Sequence, residues 1–66
     1  MEIVVNGERR TIGDGATVLS LLRELSLPES RVAVERNRSL VRKTDFAATA
    51  LAQDDRLEIV TFVGGG

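Results

Sequence analysis

One stretch of this chain is patterned for a core-facing helix. Val18, Leu21, Leu22 and Leu25 fall at i, i+3, i+4 and i+7 and make a single apolar stripe. Thr17 or Asp14 can cap its start, and Pro28 stops it soon after Leu25. Leu19 lies off the stripe. The other patterned runs are short and mostly β-prone. Glu2 to Val5 and Glu8 to Ile12 flank Asn6-Gly7, two residues that accept the positive φ of a type I′ turn, so the chain opens as a hairpin. Gly13-Asp14-Gly15 breaks the second strand. Arg31 to Glu35 reads as a third strand, Asn37-Arg38 as a turn, and Leu40 to Arg42 as a short fourth strand. Thr44 to Ala50 reads as one or two helical turns anchored by Phe46. After a turn at Gln53-Asp54-Asp55, Leu57 to Val63 is the most β-prone run of all.

This order of elements predicts an α+β fold: a mixed sheet of about five strands with one main helix packed on one face. The final strand can sit centrally, beside the first. A chain of 66 residues allows one domain, here residues 1–63, followed by a glycine tail at 64–66. A domain of this size buries only about 60% of its unfolded surface, which leaves little to wall a deep cleft. The chain has no cysteine, histidine, tryptophan or tyrosine. Disulfides, zinc sites, thiol nucleophiles and imidazole bases are therefore excluded, and no metal site is expected. Reactivity is left to carboxylates, hydroxyls or the chain ends.

Nine Lys and Arg against ten Asp and Glu give a formal charge of −1. That balance lacks the basic excess of duplex binders, and Phe46 and Phe62 are the only aromatic side chains available for stacking on single strands. No nucleic-acid partner is expected. No apolar run approaches the ~20 residues of a membrane span, so no membrane role is expected either. The expectation is a cytoplasmic protein, monomeric when free.

Several local features carry chemistry in other settings. Gly13-x-Gly15 lacks the third glycine of a dinucleotide fingerprint, because Val18 stands there, and reads as a turn. Asp54-Asp55 reads as a solvated turn rather than a cation site, since calcium wants six or more oxygens. Arg36, Arg38, Arg42 and Lys43 are either decoration that protects an edge hairpin or a footprint for an acidic partner. In the last strand Val60 and Phe62 are apolar on the face led by Glu58. Either both sides of the sheet are partly covered, or an apolar partner-binding patch is exposed.

Gly64-Gly65-Gly66 has no packing explanation. A frayed terminus is the plain reading. The functional one is that three glycines reach roughly 10 Å beyond the domain and thread a channel too narrow for side chains. They would deliver the α-carboxylate of Gly66, an ionised group that is a poor electrophile until a nucleotide-using partner activates it.

Taken together, these residues resemble the ThiS family of sulfur carriers in thiamine biosynthesis. The likeness rests on Ile3 to Glu8, Thr17 to Leu22, Val32 to Glu35 and, most specifically, Asp54 to Gly66. The resemblance implies the ubiquitin-like β-grasp fold and a carrier that is not itself an enzyme and binds no cofactor. An adenylating enzyme similar to those that activate ubiquitin would use ATP and magnesium to make an acyl-adenylate at Gly66. A cysteine-desulfurase relay would supply sulfur for a thiocarboxylate, and thiazole synthase would consume it. In this resemblance Gly66 and Gly65 carry the chemistry, while Val60, Phe62, Val63 and Gly64 meet the partners. Sulfur transfer into molybdopterin or a modified nucleoside, conjugation to lysines, and a passive interaction module are the rival expectations. Asp54 and Arg38 stand where the family often has glycine, so both are expected to bear positive φ.

Overall fold

A computed structural model describes residues 1–62. Its strands are β1 (Glu2–Val5), β2 (Glu8–Thr11), β3 (Val32–Arg36), β4 (Ser39–Val41) and β5 (Arg56–Thr61), with one α-helix, α1 (Val18–Glu24). They form a single five-stranded mixed sheet in the order β2-β1-β5-β3-β4. β5 pairs in parallel with β1 and antiparallel with β3, so the last strand lies at the centre, as expected. This is the ubiquitin-like β-grasp arrangement.

The opening hairpin turns at Asn6 and Gly7, with φ of 50° and 84°. Both values are positive, as a type I′ turn requires. The Asn6 side chain then takes over from the ladder. Its amide donates to the Ile59 carbonyl at 3.1 Å and accepts from the Ile59 N–H at 2.8 Å. A turn side chain thereby ties β1 to the middle of β5.

Helix α1 begins in a capping box, in which Thr17 accepts from the Ser20 N–H and Ser20 accepts from the Thr17 N–H. It ends beside Leu25, as expected, but the closure is made by Ser26 rather than by Pro28. Leu25 is the C-cap, and Ser26 adopts a left-handed φ of 59°. The Ser26 N–H donates to the Arg23 carbonyl and the Leu27 N–H to the Leu22 carbonyl, a Schellman closure built on serine instead of glycine. The stripe residues Val18, Leu21 and Leu22 are buried, whereas Leu25 and Leu19 are half-buried at the margin of the core. They pack with Ile3, Val5, Val32, Val34, Leu57 and Ile59 from one face of the sheet.

Other boundaries shift by a residue or two. Ile12 lies beyond β2 but is buried, and Arg31 closes a 3₁₀ turn at Glu29–Arg31 before β3. The helical turn expected within Thr44 to Ala50 is a 3₁₀ turn at Lys43–Asp45, one residue earlier, and the turns that follow it bury Phe46 in the core. No helix among the described residues is long and apolar enough to cross a membrane.

Candidate functional site

The sheet has one covered face and one open face, and β5 contributes to both. Along it, Leu57 and Ile59 are buried under α1, while Arg56, Glu58 and Val60 point to the other side and are exposed. Cross-strand pairing places Ala33 opposite Val60 and Glu35 opposite Glu58; on the far side of β3, Leu40 stands opposite Glu35. The Phe62 N–H donates to the Arg31 carbonyl at 2.7 Å, which holds Phe62 in line just past the end of β5. Val60 and Phe62 are each 57% exposed. Of the two readings of this face, the exposed apolar patch is the one the structure has.

The patch stands on a strand fixed at its start as well as at its middle. Asp55, expected in a solvated turn, is 5% exposed. Its carboxylate accepts from Arg36 Nε at 2.9 Å, from Asn37 Nδ2 at 3.0 Å and from the Ala52 N–H at 2.8 Å. Burial alone pushes the Asp55 carboxyl up; the hydrogen bonds from Arg36, Ala52 and Asn37, with the Arg36 charge, outweigh it and hold the group below the ordinary range. The neighbouring turns bear the expected strain, with φ of 66° at Asp54, 51° at Asn37 and 71° at Arg38.

The run of cations divides by role. Arg36 is committed to Asp55, and Lys43 Nζ donates to the Ser30 carbonyl at 2.9 Å. Arg38 and Arg42, on either side of β4, form no ion pair among the described residues. The solvated-edge reading therefore holds for half of the run at most. Gly13-Asp14-Gly15 is a turn with Gly15 at a φ of 84°. No group of three or more acidic residues among the described positions is arranged to hold a metal.

Leu40 is the surface residue that sequence reasoning missed. It is 69% exposed on the same face as Val60. A strand as short as β4 carries almost no alternation to read. The signal was the Asn37-Arg38 turn, which fixes the pairing of Glu35 with Leu40. The positions expected to meet partners or carry chemistry at Val63, Gly64, Gly65 and Gly66 lie outside the described residues.

Comparisons with known proteins agree with this geometry. The chain is 47% identical to a thiazole synthase of Paramagnetospirillum magneticum over 66 residues, all of this chain and 20% of that protein. It is 40% identical to the sulfur carrier protein ThiS of Bacillus subtilis over 53 residues, 80% of each chain. The crystal structure of thiamine biosynthesis protein ThiS from Geobacter metallireducens superposes with a TM-score of 0.84 at 32% identity, covering the whole of both chains. The ThiS family model matches residues 3–66, and the chain belongs to that family.

Proposed function

We propose that the chain is a cytoplasmic sulfur carrier of thiamine biosynthesis whose reactive group is the carboxyl of Gly66. The observation that carries this reading is the placement of Val60, exposed on the anchored strand, and Phe62, exposed just past its end, ahead of Gly64-Gly65-Gly66 in the sequence and within the family match. The open face docks an adenylating enzyme, with Val63 and Gly64 entering its channel. There a Gly66 carboxylate oxygen attacks the α-phosphorus of ATP, which the enzyme holds with magnesium, and pyrophosphate leaves. A persulfide loaded by a cysteine-desulfurase relay then attacks the carbonyl and displaces AMP to give an acyl disulfide. A second thiol cleaves its S–S bond, releasing the thiocarboxylate and being oxidised to a disulfide. Gly65 keeps the approach to the carbonyl free of a Cβ. Thiazole synthase takes up the sulfur. The match to 20% of a protein named thiazole synthase supports that pairing of carrier and acceptor.

The test is pyrophosphate exchange with ATP in the presence of the adenylating enzyme, together with intact mass of the chain from its host. Exchange, and replacement of one C-terminal oxygen by sulfur, are the expected results. Removing Gly66 retracts the carboxylate by about 3.5 Å and should abolish exchange while the domain still folds and binds. Undiminished exchange would leave a passive interaction module as the better account.

A further inference from the structure

Glu35 and Glu58 are direct cross-strand partners, so two carboxylates stand side by side near the middle of the open face. Like charges in that position work against the sheet that carries them. Among the described residues neither has a cation within 4.0 Å. Arg38 and Arg56 line the same shallow depression, of about 290 Å³, yet neither closes on them. Elsewhere on this face the chain does form such a pair, Arg9 with Glu2 at 2.8 Å.

The two carboxylates lie between apolar projections. Val60 follows Glu58 by two residues on β5, and Leu40 is the partner of Glu35 on the outer side. A surface that covers Leu40, Val60 and Phe62 together must also take water from the two anions between them. Desolvating adjacent like charges is costly unless a cation arrives with the covering surface.

We propose that the enzyme docking on this face inserts an arginine between Glu35 and Glu58, flanked by apolar residues that seat on Leu40 and on Val60 with Phe62. The proposal rests on the docking reading given above and specifies the chemistry of that partner. A guanidinium fits because its planar fork bridges two carboxylates, whereas an ammonium is a point charge. Arg56 precedes Glu58 on β5 and Arg38 lies on the turn into β4, so both bound the depression on the turn side. The apolar side is left as the route of approach.

Titration calorimetry of the full chain against the adenylating enzyme, at low and high salt, tests this with Glu35→Gln, Glu58→Gln and the double variant. The double variant should bind at least about tenfold more weakly and lose most of the salt dependence. Its own melting temperature should rise, because the repulsion is gone. Unchanged or tighter binding, or a lower melting temperature, would show that Arg38 and Arg56 already satisfy the pair and would overturn the proposal. Phe62→Ala separates the two levels of argument. If it weakens binding while the glutamine variants do not, the arginine alone is wrong; if none of them weakens binding, the docking reading fails with it.

Discussion

The two faces of the sheet answer to different constraints. On the covered face Ile3, Val5, Val32, Val34, Leu57 and Ile59 meet Val18, Leu21 and Leu22, and all are buried. On the open face Val60 and Leu40 gain little from folding, since most of their surface stays wet. Edge strand β2 shows what an uncommitted surface looks like in this molecule: Glu8, Arg9, Arg10 and Thr11 are all exposed, polar and suited to discourage pairing with other chains. Apolar side chains on the open side of β5 and β4 are the departure from that pattern. Packing explains the covered face; for the open one it is the docking proposed above that would supply a reason.

The contrast can be broken most forcefully from the covered side. Leu22→Ala should cost about 2–5 kcal/mol, a large share of a small domain's stability, seen as a fall in the urea midpoint. An unchanged midpoint would mean that the helix does not cover the sheet as described. Asp55→Ala should cost about 3 kcal/mol, because it strands the Ala52 N–H and the Arg36 and Asn37 donors at the foot of β5. The same residue sets an acid limb. With its folded pKa depressed, Asp55 stabilises fully above its unfolded value of about 3.9 and loses that contribution as pH falls through the lower folded value. Urea midpoints measured from about pH 6 down to about pH 2 should show this loss, and Asp55→Ala should flatten it. Ser26→Gly should stabilise by about 1 kcal/mol by relieving the left-handed C-terminal residue of α1, read as a higher melting temperature. Phe62→Ala should leave stability within about 0.5 kcal/mol while weakening enzyme binding; a collapse of the melting temperature would move Phe62 into the core.

Elements specified by neighbouring residues were legible in the sequence. Asn6-Gly7, the Thr17 cap and the 18, 21, 22 spacing each state their structure within a few positions. Asp55 was not, because the groups that make it a buried anchor, Arg36 and Asn37, lie 19 and 18 residues away. The device that ends α1 just after Leu25 was not legible for a related reason: the stop is Ser26, not Pro28. Serine is an unfavourable left-handed residue, and nothing local announces that Ser26 takes that role. At the candidate site, alternation along β5 revealed Val60 and Phe62, but not which face α1 would cover. That choice belongs to the packed molecule. The pairing of Glu35 with Glu58 likewise appears only once β3 and β5 are set in register.

The central place of β5 has a consequence for how the molecule comes into being. Synthesis proceeds from the N-terminus, yet β1 and β3 have no common neighbour until Arg56–Thr61 is available. The hairpin and the helix can form on the nascent chain, but the sheet remains two separate pairs, β1 with β2 and β3 with β4. Closure therefore waits for the segment that carries Val60 and precedes the glycines. A product truncated before that strand would leave the two hairpins unjoined and would lack the surface proposed above for docking.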